Sequence, residues 1–215
     1  MIERAQTIGL PFEAVAFDTL YGRNTWLRDQ CRANGIEYYA DVPSDCRVYL
    51  HLPELTYPMT KRKHPAKYPQ VVGQDPLTVA LLVDDPQTNW QSLVLRPSER
   101  GMLQAEFARQ QVWTVAKDGT IGEETLLIRR APKRLTYSLT NAATDTPILT
   151  LAQRKTQRYL VEPSIQDAKS ELGWDEFQAI KYRAWEHQLA LTLLATRFIA
   201  RLVWIGVHNT HKTQL

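Results

Sequence analysis

Several absences bound what this 215-residue chain can be. Its two cysteines, Cys31 and Cys46, form no Cys-x-x-Cys pair, and both read as ordinary thiols. No signal-peptide pattern opens the sequence, so a reduced, cytoplasmic setting is the default expectation. There is no internal repeat and no low-complexity tract. Charge bias is slight: 26 Lys and Arg against 23 Asp and Glu give a net charge of +3. The resulting pI near 8.8 permits nucleic-acid contact without pointing to it. No charge-free run is long enough to cross a bilayer. The nearest, residues 189–207, carries Arg197 and Arg201 four apart on one helical face, which predicts a helix against a protein core. The chain also holds no Asp ahead of Asp18; only Glu3 and Glu13 are acidic there.

What is present is ordinary for a folded domain: 44% hydrophobic and 23% charged residues, enough for one large or two small domains. Residues 2–9 read as a helix end closed by Gly9 and stopped by Pro11. Residues 14–17 form an unbroken apolar run, which predicts a strand with both faces covered. Asn24 can cap a helix that runs to about Asn34, with Gly35 at its left-handed exit. A strand follows over 36–42 and stops at Pro43. This strand–helix–strand unit is the clearest architectural signal. From 44 to 145 the prolines and short β-type runs predict a β-rich insertion, with strands at 78–83, 92–95, 112–115, 125–130 and 135–139. The segments Asp84-Asp85-Pro86 and Lys117-Asp118-Gly119 are turn chemistry. Helices return from Thr146-Pro147 towards Arg158, over 163–172 with Gly173 as the stop, and from about Asp175 onward.

Two carboxylates stand out. Asp18 ends the apolar strand, so its carboxylate is held on rigid backbone at the rim where open α/β sheets bind ligands. Glu162 lies in Arg158-x3-Glu162-x6-Lys169, where a cation on each side would offset the charge of a metal-bound phosphodiester. Pro163 has no amide hydrogen to continue a helix through Glu162. One helix is therefore expected to end near Val161, and the next to start with Pro163 at its first position. A basic loop at Lys61, Arg62, Lys63, His64 and Lys67 is a candidate phosphate contact. The tryptophans read as core residues. His208 and His211 fall in a polar tail without the partners a zinc site needs.

The stretch 13–23, EAVAFDTLYGR, resembles the second-aspartate motif of DDE transposases of bacterial insertion sequences, a group with an RNase H-like catalytic core. The spacing Arg158-x3-Glu162-x6-Lys169, followed by ELGWDEFQ and AWEHQLALTLLA, resembles that group's Tyr-x2-Arg-x3-Glu-x6-Lys signature, with Lys155 at the tyrosine position. The resemblance is specific at 17–23 and 158–195 and looser between them. It implies an α/β, mixed α+β, fold: a partial RNase H-like core over 1–43 and 146–207, split by the insertion at 44–145 and followed by a polar tail at 208–215. It implies Asp18 and Glu162 as catalytic metal ligands, and Arg158, Lys169, Lys61, Arg62 and Lys63 as DNA contacts. His187, in the stretch AWEHQ, takes a structural or supporting role. Mg2+, or Mn2+ in its place, would be the cofactor of the intact enzyme. Transposon ends and target DNA would be its partners in a homodimer or synaptic complex, away from membranes. The family's first aspartate stands on an opening β-hairpin that has no counterpart here. The resemblance therefore implies an N-terminally truncated transposase, inactive alone, or else a regulatory fragment that binds DNA or transposase without catalysis.

Overall fold

The computed structural model describes residues 2–61, 63–98, 101–131 and 134–212. It divides into two compact units, residues 1–156 and 157–215. Among the described residues no helix is long and apolar enough to cross a membrane.

The first unit opens with helix α1 (Ile2–Thr7), after which Gly9 takes the left-handed conformation at φ +69°. Strand β1 (Ala14–Phe17) leads into the single turn α2 (Thr19–Gly22). Helix α3 (Thr25–Ala33) is capped by Asn24, whose Oδ1 accepts from Leu27 N at 3.3 Å, and Gly35 leaves it at φ +65°. Strand β2 (Glu37–Val42) then pairs with β1 in parallel, with Phe17 beside Ala40. These boundaries lie within a residue or two of the sequence reading because each is written in a cap or a glycine.

The segment 44–145 holds two short two-stranded sheets and four long strands. β3 (Arg47–Val48) pairs with β6 (Leu77–Thr78), and β4 (Glu54–Thr56) with β5 (Gln70–Val72). The expected strand at 78–83 is only β6 followed by a 3-10 turn at Leu81–Val83. Leu82 and Val79 are buried there as plugs in the core, so the apolar run serves packing and not strand pairing. β7 (Gln91–Ser98), β8 (Gly101–Val115), β9 (Ile121–Ala131) and β10 (Arg134–Thr140) are antiparallel. β8 runs 15 residues, far beyond the expected 112–115, and Leu103, Ala105 and Phe107 alternate with Gln104 and Glu106 in its first ten, a strand signal that the sequence reading passed over.

The four long strands do not stand apart from the opening unit. One six-stranded sheet runs β1-β2-β10-β9-β8-β7, with β10 antiparallel to β2, and so crosses the expected boundary at residue 43. The fold is mixed α+β with a mostly antiparallel sheet, consistent with a DDE or RNase H-like endonuclease. Residue alternation sorts the strands into two faces. On one, Cys31 and Ile36 pack on Tyr38 and Ala40 with Val15 and Phe17. Further along the same face, Val42, Ala108, Val112, Leu126, Ile128 and Leu139 lie under Val48, Val79 and Leu82. On the other, helix α4 (Ile148–Thr156) sets Ile148, Leu151 and Ala152 on Tyr39, Phe107 and Leu127.

β1 departs from expectation. Ala16 is exposed while its neighbours are half-buried, so the apolar run of this edge strand is not covered on both faces. The opposite edge, β7, carries a bulge between Val94 and Arg96 and a proline at 97, devices that blunt pairing with another chain. β1 has neither.

In the second unit, the 3-10 segment Gln157–Leu160 precedes helix α5 (Val161–Ser170), and α6 (Tyr182–Lys212) follows. α5 starts two residues earlier than expected, with Pro163 at its third position. The missing amide there costs nothing, because the first four N–H groups of a helix have no partner within it. Gly173 sits at φ +61° past the end of α5. α6 begins at Tyr182 and not near Asp175, and it continues through Lys212, so residues 208–212 are helical and not an irregular tail.

Candidate functional site

Asp18 sits at the carboxyl end of β1, where the chain leaves the sheet. Its backbone is extended (φ −77°, ψ 177°), and its Oδ1 accepts from the amides of Leu20 and Tyr21, both at 3.1 Å. It is thus the N-cap of α2. Among the described residues no partner meets its Oδ2. The turn closes when Gly22 N donates to Asp18 O at 2.7 Å. Gly22 is buried against β2, and a Cβ there would overlap the Asp41 carbonyl, so only glycine lets the turn lie this close.

A buried ion pair holds the same turn from behind. Arg28 on α3 donates from a terminal guanidinium nitrogen to Gly22 O and from Nε to Glu124 Oε1 at 2.9 Å. Glu124 on β9 also accepts from the hydroxyls of Tyr38 and Thr114. Both charged groups are nearly sealed from water, with side-chain exposures of 2% for Arg28 and 0% for Glu124. Burial, with the Glu124 carboxylate beside it, pushes the Tyr38 hydroxyl far above the usual tyrosine range.

The residues following Phe17 and Ala40 on the two parallel strands are both aspartates, Asp18 and Asp41. The Asp41 carboxylate accepts from Ser138 Oγ at 2.7 Å and meets Lys155 Nζ at 2.8 Å. Four residues back along β2, Glu37 takes two contacts from an Arg154 terminal nitrogen at 2.7 and 2.8 Å, and one from the Tyr39 hydroxyl at 2.7 Å. Arg154 and Lys155 lie in the last turn of α4, where cations also suit the helix dipole. Lys155 is the residue that stands in place of the signature's tyrosine, and its ammonium is committed to Asp41. Neither Asp41 nor Glu124 was singled out from the sequence. The only trace was polar residues at 37 and 41 on one face of an otherwise apolar strand.

The other candidates belong to other elements. Glu162 is exposed in the first turn of α5 and Lys169 is exposed in its last, two turns along the same face. Arg158 is half-buried in the 3-10 segment that precedes them. All three belong to the second unit, whereas Asp18 belongs to the first. Lys61 and Lys63 are exposed in a tight turn stitched by Thr60 N to His64 O at 2.8 Å and Ala66 N to Pro58 O at 2.8 Å. Lys63 is left-handed there at φ +59°; Arg62 lies outside the described residues. Trp185, expected in a core, is 40% exposed, with Nε1 donating to Ala179 O at 2.7 Å. His187 is also exposed.

With Asp18 at a strand end, framed by α2 and β2, comparison with known families becomes informative. Residues 1–102 match the family described as DDE superfamily endonuclease. The match covers just under half of the chain and includes Asp18, Lys61 and Lys63, but not Arg158, Glu162 or Lys169. No curated protein and no solved structure matches the chain. Endonucleases of this superfamily typically use divalent metal ions. Among the described residues no three His, Cys, Asp or Glu side chains gather to hold one. Mg2+ demands near-octahedral oxygen ligands, and the unengaged oxygen of Asp18 is a single donor. The residues brought together at Asp18 do not by themselves fit such an ion.

Proposed function

We propose that this chain is a DNA-contacting portion of a DDE transposase of a bacterial insertion sequence, unable to cut DNA alone. The observation that carries this reading is Asp18, at the carboxyl end of the parallel strand β1 within the matched segment. Glu162 is the second carboxylate of the intact enzyme, with Arg158 and Lys169 on the phosphates beside it and Lys61, Arg62 and Lys63 on the DNA backbone. Mg2+, or Mn2+, binds only where a further carboxylate is supplied. Because the described residues lack a complete ligand set, no cleavage step belongs to this polypeptide by itself.

The test pairs binding with cleavage. The chain is expected to retard duplex DNA at low salt, with affinity falling as salt rises, and to leave supercoiled plasmid intact in Mg2+ or Mn2+. Asp18→Asn and Glu162→Gln should leave binding unchanged. Failure to bind DNA at low salt would sink the reading. Nicking that Asp18→Asn abolishes would show instead that the chain is a competent nuclease.

The free edge of β1 favours a second reading, a regulatory fragment that takes a strand from an intact transposase and lowers its activity. Inhibition of the intact enzyme by this chain, lost when Ala16 is replaced by Lys, would distinguish it from simple competition for DNA.

A further inference from the structure

An open cleft of about 550 Å3 lies in the first unit, away from Asp18, between the β8–β9 turn and the segment that forms β5. Its walls are Tyr49, Tyr68, Gln70 and Gln74, with Asp75 and Lys117 among the lining residues. The apolar remainder comes from Val71, Val115 and the prolines 69 and 76.

The walls are fixed before anything binds. Tyr49 exchanges both backbone hydrogen bonds with Trp113, each at 2.8 Å, which anchors its base to β8. Gly119 takes φ +94° in the β8–β9 turn, and a Cβ there would stand 3.0 Å from Pro69 Cγ and 3.1 Å from the Tyr57 hydroxyl. The glycine therefore lets the turn seat directly on the segment that carries Tyr68. Gln74 Nε2 donates to His51 O at 3.1 Å, which orients its amide. Lys67 lies over the Tyr68 ring at 5.4 Å from its centre. Lys117 is exposed and makes no ion pair among the described residues.

This combination is selective. Aromatic rings and apolar side chains offer stacking area to a flat ligand, while two amides and a carboxylate can meet the donors and acceptors on its edge. A cation at Lys117, with Lys61, Lys63 and Lys67 on the preceding loop, suits an attached phosphate. The size is in the range of small-molecule sites and too small for a duplex. We propose that the cleft takes one unpaired nucleobase of a DNA strand, stacked on Tyr68 with its phosphate towards Lys117. The proposal rests on the reading of the chain as a DNA binder and adds to it a preference for a displaced or overhanging base.

The test uses the whole chain and three probes: a blunt duplex, the same duplex with a single unpaired 2-aminopurine at one end, and 2-aminopurine deoxyribonucleoside monophosphate. Affinity is read by anisotropy of a remote dye and occupancy of the cleft by 2-aminopurine quenching. The overhang duplex is expected to bind about tenfold tighter than the blunt one, with its fluorescence quenched. Tyr68→Ala should remove both the preference and the quenching and leave blunt-duplex affinity unchanged, while Tyr68→Phe retains them. Tyr68 is 52% exposed, so neither variant threatens the fold. Equal affinity for the two duplexes, or quenching that Tyr68→Ala leaves intact, overturns the proposal while DNA binding stands. If neither duplex binds but the monophosphate is quenched in a Tyr68-dependent way, the base site stands and the DNA-binding reading falls. Absence of all three signals overturns both.

Discussion

Replacing Glu124 by Ala should be among the most damaging single changes in this protein. The carboxylate is completely buried and receives Arg28 Nε at 2.9 Å together with the Tyr38 and Thr114 hydroxyls. Removing it strands an Arg28 guanidinium whose side chain is only 2% exposed. It also orphans two hydroxyls. Breaking a buried ion pair from one side costs about 3–5 kcal/mol, a large part of the roughly 5–15 kcal/mol that holds a domain folded. With a urea dependence near 2 kcal/mol per molar, the unfolding midpoint should fall by about 2 M. The contrast is Arg23–Asp45 at 3.7 Å, with side chains 57% and 76% exposed, whose removal should shift stability by no more than about 0.5 kcal/mol. Exchanging both partners together, as Arg28→Met with Glu124→Leu, should recover most of the loss, because no charge is then left buried. The assay is urea unfolding followed by near-UV circular dichroism. A Glu124→Ala midpoint within about 0.5 M of the parent would mean that water reaches Arg28 and the network is not sealed.

Three further outcomes are expected. The folded state holds the Tyr38 hydroxyl neutral, its pKa raised above the ordinary 10.0 by burial first and Glu124 second. Its contribution is therefore complete below about pH 10 and is lost as pH rises further, so urea midpoints should be flat to pH 9 and fall by pH 11, and flat midpoints throughout would contradict this. Gly22→Ala should cost about 1–3 kcal/mol in the same assay because its Cβ meets the Asp41 carbonyl, and a neutral result would show that α2 moves freely on β2. Ala16→Lys should reduce self-association measured by light scattering, since a charge on an apolar edge strand discourages pairing; unchanged association would place the contact elsewhere.

How much of this was legible follows from where the information resides. Asn24, Gly35, Gly173 and the apolar run at 14–17 are local signals, and each element they mark formed near its expected position. Residues 78–83 have strand composition yet split into β6 and a 3-10 turn, because the need to bury Val79 and Leu82 overrode propensity. The exposure of β1 could not be read either. An unbroken apolar run records what a strand can be packed against, not what lies beside it. At the site, Asp18 was visible through its context AFDTLYGR, since an Asp after a strand is by itself a common turn residue. Asp41 and Glu124 were not, since their partners Lys155 and Arg28 lie 114 and 96 residues away in sequence.

Those distant pairs alter how the segment 44–145, expected as an insertion, should be regarded. Were it an appendage, its strands would form a separate sheet and its charges would face water. Instead β10 pairs with β2, so the strand that flanks β1 is itself flanked by a strand of that segment. Glu124 of β9 holds Arg28, which in turn holds the Gly22 carbonyl at the end of the Asp18 turn. Ser138 of β10 holds Asp41 together with Lys155. The first of these contacts fixes the end of the turn that carries Asp18, and it originates in a strand with no sequence proximity to that turn. The position of that carboxylate is thus set jointly by the opening strand and by β9. A lesion at Glu124 should therefore be felt at Asp18 without any change in the residues around it.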